Sequence, residues 1–166
     1  MKKLVMLMIG ILFLSGCSMQ NTMETISDSV DVQVVAPVKE LKIDLPAEAG
    51  TPTLLANDGS KFYECDGYTL CVQTLESGDL TRSLKEITGF DKENLMVMER
   101  ELGGIKQYDC VWSAAGENGD YVGRALIIDD GNYHYTVTVM AEFEQAGTMS
   151  EQWKKLFNSV RISDID

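Results

Sequence analysis

Four β-prone runs follow one another between Leu95 and Ala141, separated only by turn residues. Leu95 to Leu102 stops at Gly103-Gly104, and Ile105 to Ala114 is followed by Glu117-Asn118-Gly119-Asp120. Tyr121 to Ile128 meets Asp129-Asp130-Gly131-Asn132, and Tyr133 to Ala141 closes the series. A parallel arrangement would need crossovers of a dozen or more residues, and the connections here are far shorter. The runs therefore make an antiparallel meander. In the second run Tyr108, Cys110 and Trp112 share one face. In the fourth, Tyr133, Tyr135, Val137 and Val139 oppose His134, Thr136, Thr138 and Met140.

The segments around the meander fit the same architecture. Lys61–Cys65 and Tyr68–Leu75 flank Asp66-Gly67, a strong signal for a two-residue hairpin. Glu40 to Pro46 alternates apolar and polar residues like a half-buried strand, and Ala47 to Gly59 reads as loop. Asp79 is placed to cap a helix with Leu80, Leu84 and Ile87 on one side and Gly89 at its end. Thr148-Met149-Ser150-Glu151 fits a capping box, and Trp153, Leu156, Phe157 and Val160 then form one apolar stripe. The predicted class is α+β: a mainly antiparallel sheet of about six to seven strands with two helices packed against it.

This order of elements resembles the PsbP-like fold, named for an extrinsic subunit of photosystem II and shared by many small bacterial lipoproteins. The resemblance rests on Ile43-Asp44-Leu45-Pro46, the short helix near Leu80–Ile87, and the Tyr-Thr-Val-Thr-Val strand followed by Trp153–Ile162. It spans residues 40–163 and carries no catalytic residue over.

At the other end of the chain, Met1-Lys2-Lys3 is a basic start and Leu4 to Leu14 an apolar run of 11 residues. That run is too short to cross a bilayer, which takes ~20 residues, and its flanks suit a signal peptide. It closes on Leu14-Ser15-Gly16-Cys17. These residues resemble the lipobox of bacterial lipoproteins: a large aliphatic residue, two small ones and a cysteine. The resemblance implies diacylglycerol on the Cys17 sulfur and cleavage just before it. The expected organisation is a signal peptide over 1–16, a lipidated terminus and tether over 17–38, and one α+β domain over 39–166. Acyl chains contribute ~0.8 kcal/mol per buried CH₂, so two or more hold a protein stably at a membrane.

Charge agrees with an anchor. The chain carries 26 acids and 14 bases, a net −12 that becomes −14 once Lys2 and Lys3 leave with the signal. The bases are scattered, with no stripe to neutralise phosphates, so nucleic acid is a poor partner. An anionic lipid surface would repel such a body, and the lipid has to hold it there.

Reactive constellations are sparse. Beyond Cys17 there are Cys65, Cys71 and Cys110, an odd number in a compartment that permits disulfides. A Cys65–Cys71 bridge needs a loop wider than Asp66-Gly67. With a two-residue turn the sulfurs point to opposite faces. That bridge, a bridge to Cys110, and three free thiols all stay open. His134 is the single histidine, set mid-strand between two tyrosines, and any Ser-His or Cys-His mechanism would have to use it. The acid pairs Asp129-Asp130, Glu142 with Glu144, and Asp164 with Asp166 sit in turns, at a strand end and at the terminus, where acids are common for solvation. Met96 and Met98 share a strand face, and core filling or chance placement accounts for the methionines better than a copper-handling role. No metal ligand set and no cofactor motif are recognised. The sequence therefore reads as a membrane-anchored extracytoplasmic lipoprotein, a monomer acting as a non-catalytic binding or accessory module on another envelope component. The alternative is an enzyme of unfamiliar type with a cleft around His134.

Overall fold

The computed structural model describes residues 36–164 except Ser77 and Asn118. The expected signal peptide, the expected lipobox with Cys17 and the expected tether as far as residue 35 lie outside the described residues. In chain order the elements are β1 (Glu40–Lys42), β2 (Leu54–Leu55), β3 (Lys61–Cys65), β4 (Tyr68–Glu76) and α1 (Leu80–Thr88). There follow β5 (Met96–Leu102), β6 (Ile105–Gly116), β7 (Gly119–Asp129), β8 (Tyr133–Glu142), α2 (Phe143–Ser159) and β9 (Arg161–Ser163).

The meander forms as the turn residues require. Leu102 pairs with Ile105 across Gly103 and Gly104, whose φ values of 61° and 80° meet the demand of a two-residue hairpin for left-handed backbone. The seven-stranded sheet runs β2-β3-β4-β8-β7-β6-β5, antiparallel at every step. The β3–β4 hairpin docks against β8, so the last strand of the meander becomes central. Since β4 and β5 then stand four places apart, α1 has to carry the chain over one face of the sheet. Both this class and the two helices on the sheet agree with the sequence reading.

Each helix covers a different face. On one, the α2 residues Trp153, Leu156 and Phe157 pack on Tyr63, Tyr68, Leu70, Leu126, Ile128, Tyr135, Val137 and Val139. Tyr68 meets Trp153 edge-on, with ring centroids 6.1 Å apart. Arg124 lays its guanidinium over the Phe157 ring, 5.0 Å from the centroid, and is itself paired with Asp109. On the other face, Leu84 of α1 is buried among Tyr108, Cys110, Trp112, Ala125 and Ile127, with Leu80 and Ile87 beside it. Asp79 caps α1 by accepting from the Thr81 amide at 2.9 Å, and Gly89 ends it at φ 78°. A fully buried Leu or Trp contributes roughly 1.5–3 kcal/mol by removal from water, so both faces are substantial.

Three sequence expectations are corrected. The second helix does not begin at Thr148. Glu142 ends β8 and Phe143 opens α2 with no loop between them. The helix start is thus set by where the central strand leaves the sheet, and Thr148 lies inside, donating its hydroxyl to the Gln145 carbonyl at 2.7 Å. The strand expected over 40–46 is only three residues long and belongs to a separate two-stranded sheet with β9, an element the sequence did not reveal. Leu54–Leu55, read as loop, pairs with β3 at the sheet edge.

Before β1 the chain is held by two tyrosines of β8. The Tyr133 hydroxyl donates to the Ala36 carbonyl at 3.1 Å, and the Lys39 amide donates to the Tyr135 oxygen at 2.8 Å. The Tyr135 hydroxyl in turn donates to Asp130 at 3.2 Å. Burial alone would raise the Asp130 carboxyl. The amides of Asn132 and Tyr133, the Tyr135 hydroxyl and the Lys39 charge outweigh it and hold this acid below its ordinary range.

Candidate functional site

The α1 face is only partly covered. Beyond the C-terminal half of α1 the sheet is open, and a cleft of about 260 Å³ remains. Its floor is Thr69, Cys71 and Gln73 of β4 with Thr138 and Met140 of β8, all on one face by strand alternation. Phe62 of β3 and Trp112 of β6 stand as walls, and Glu86 and Ile87 of α1 close the third side. Trp112 holds its place because its cross-strand partner is Gly123. A Cβ at Gly123 would come within 2.2 Å of the indole, so the ring occupies space that any side chain there would need. Sites of this kind, apolar with a few placed polar groups, are where small ligands bind.

Cys71 belongs to the cleft and Cys65 does not. The turn at Asp66-Gly67 is the two-residue one, pairing Cys65 with Tyr68 and Cys71 with Phe62. Cys65 therefore faces the α2 core and Cys71 the α1 cleft, and both thiols are free, as is Cys110. Burial pushes the Cys71 thiol up to about 11, helped by the charge of Asp58, and burial likewise pushes Cys110 up to about 11, helped by Asp109. Burial also raises Cys65. A thiol nucleophile needs the opposite displacement. Cys71 instead donates to Gln73 Oε1 at 3.5 Å, as a neutral polar group on the cleft floor.

His134 stands outside this cleft. It is 1% exposed, and Nδ1 lies 2.7 Å from the hydroxyl of Ser83, itself 3% exposed on α1. On its other side Nε2 lies 3.5 Å from Asp129 Oδ2. Serine, histidine and aspartate thus line up in a chain that no sequence spacing disclosed, because α1 brings Ser83 from 51 residues away. The arrangement resembles a nucleophile–base–orienter chain in its members. Its burial makes it a brace that fixes α1 to β8. In place of the cleft around His134 that the alternative enzyme reading needs there is a buried contact, since the helix that reaches it also covers it.

Among the acid pairs, Asp129 and Asp130 point apart. Asp129 accepts from Gly131 and faces His134, whereas Asp130 binds the amides of Asn132 and Tyr133. Glu142 accepts from Gln145 at 3.4 Å, and Asp166 lies outside the described residues.

The second feature is a strip on the α2 side of the far edge. Met96, Met98 and Leu102 of β5 are 71%, 56% and 69% exposed, with Val111 of β6 beside them. Met96 and Met98 share a face as read, but they do not fill a core. The sheet runs on past the reach of α2, so β5 is an edge strand that no element covers among the described residues. An open hollow lies along it, bounded by Asn94, Leu95, Met96, Val111, Ser113 and Val122.

No family model matches this chain, and no curated protein sequence does. Among solved structures it is similar to the solution structure of cyanobacterial PsbP (CyanoP) from Synechocystis sp. PCC 6803. The identity is 14%, the match covers 76% of this chain and 95% of that one, and the TM-score is 0.46. The α+β class of this chain rests on its own sheet and helices.

Proposed function

We propose that this protein is a lipid-anchored, extracytoplasmic accessory module that docks a protein partner of the cell envelope along β5. The observation that carries the reading is the exposed pair Met96 and Met98, with Leu102 beyond Arg100 on the same face, on an edge strand of an acidic chain. Unpaired backbone groups on such an edge recruit an added strand, and flexible methionines fit varied partner surfaces. Cys17 supplies the attachment, and the tether after it keeps the domain within reach of neighbouring proteins. Division into a signal peptide over 1–16, a tether over 17–38 and a domain over 39–166 goes with this reading. Enzymatic use of His134 draws on the Ser83–His134–Asp129 chain, and the burial of Ser83 and His134 opposes it.

The test places a photo-crosslinking side chain at Met98 in the lipidated protein in its own cells. A discrete adduct is expected from position 98 and not from exposed Lys85 on the other side of the sheet. The adduct disappears when Cys17→Ala releases the protein from the membrane fraction. Lack of an adduct at position 98, or a Cys17→Ala chain that stays in the membrane, overturns the reading.

A further inference from the structure

We propose that the cleft beside α1 is a binding site for a small organic cation, a quaternary or alkylated ammonium. Its two walls are aromatic, Trp112 and Phe62, and an ammonium against ring faces gains about 0.5–2 kcal/mol. The charged lining residue is an acid, Glu86, at the rim. Glu64 stands opposite Thr69 on the same side of the sheet, which adds to the negative field at the mouth. The charge of Asp58 also reaches the floor, where it helps keep the Cys71 thiol protonated. Neither base of the neighbouring helix turns enters the lining, and Lys85 is paired with Asp91 at 3.0 Å.

The floor favours an alkylated cation over a bare ion. Thr69, Thr138, Gln73, Cys71 and Met140 offer neutral oxygen and soft sulfur, which suit a diffuse charge wrapped in methyl groups. A strongly hydrated ion would have to give up its water for few anionic ligands. An anionic ligand would meet the like charge of Glu86 in the lining. The volume of about 260 Å³ admits one small molecule. This site opens on the opposite face from Met96 and Met98, and although Trp112 also borders the hollow along β5, binding here is read at Met140 and not at Met98.

The test uses the full chain in detergent with ¹³C-methyl methionine. Met140 lines the cleft, whereas Met96 and Met98 lie on the other face and serve as internal controls. Choline is the probe, and 3,3-dimethylbutan-1-ol is its uncharged carbon analogue. Choline is expected to shift the Met140 methyl saturably, to leave Met96 and Met98 in place, and to bind at least tenfold more tightly than the analogue. Glu86→Gln, a change at an exposed position, should weaken choline about fivefold while the spectrum keeps its dispersion. Equal binding of the neutral analogue, or an unchanged affinity in Glu86→Gln, overturns the selection for charge. No shift of Met140 by either compound overturns the site itself. Neither outcome touches the crosslinking result at Met98.

Discussion

The two faces of the sheet are covered by helices of very different length, and this difference creates the cleft. At ~1.5 Å per residue, the 17 residues of α2 span ~25 Å and the 9 residues of α1 only ~13 Å. The 10 residues of β8 run for ~33 Å beneath both. Thus α2 covers its face from Tyr68 to Tyr135 with three large side chains and leaves the far edge at β5 bare. By contrast α1 covers only the part of its face around Ile127 and Ala125, and the end near Thr69 and Met140 stays open. Coverage by one apolar stripe makes a core, and coverage that stops short makes a site.

The sharpest test of this contrast truncates the centre of the well-covered face. Trp153→Ala removes an indole buried against Tyr68 and should cost about 3–5 kcal/mol, read as a lowered urea midpoint with an unchanged slope. A loss below about 1 kcal/mol would mean that α2 does not organise its face. Gly123→Ala comes next, on the open face. Its methyl must displace Trp112, at about 1–3 kcal/mol. The cleft wall moves with it, so Trp112 emission should shift to the red. An unmoved spectrum would show that the indole does not rest on Gly123.

Ser83→Ala takes one hydrogen-bond partner from buried His134 and should cost about 1–2 kcal/mol in denaturant unfolding. Because the brace also places α1, amide exchange should speed up in α1 and not in α2. Equal acceleration in both helices would refute a local brace. Thr136→Val should do the reverse on the same face, leaving stability unchanged or raising it by up to about 1 kcal/mol. The Thr136 hydroxyl is buried and has no hydrogen-bond partner among the described residues, and a methyl of the same shape removes its desolvation cost.

Acid should loosen the α2 side first, where Asp130 anchors the chain before β1. Its carboxyl titrates lower in the fold than in the unfolded chain. The stabilisation is therefore present at neutral pH, begins to fade near the usual 3.8, and is lost as pH falls through the lower folded value. Asp130→Asn should flatten the stability–pH curve below about pH 3.8. A curve identical to that of the parent protein would assign the acid sensitivity elsewhere.

Local rules sufficed where both partners of a contact were close in sequence. Asp66-Gly67 and Gly103-Gly104 announced their hairpins because only a few turn conformations join adjacent strands. Asp79 and Gly89 marked the ends of α1 because caps are local hydrogen bonds. Thr148 misled for the complementary reason: a capping box competes with tertiary placement, and the direct run from β8 into α2 prevailed. The pairing of β1 with β9 stayed hidden because their partners lie more than a hundred residues apart, with no alternation long enough to show them.

The same division runs through the candidate site. By itself the sequence determined the α+β class, the turn positions, the faces of β6 and β8, and the acidic balance, since these follow from residue type at short spacing. It also carries the Leu14-Ser15-Gly16-Cys17 pattern on which the expectation of a lipid anchor rests. Only the tertiary structure decided that Phe62, Trp112 and Glu86 share a cleft, that Ser83 meets His134, and that Met96 and Met98 face outward. Those facts depend on how far each helix reaches over the sheet. That reach follows from the docking of β4 on β8, a pairing across more than fifty residues that no local pattern records.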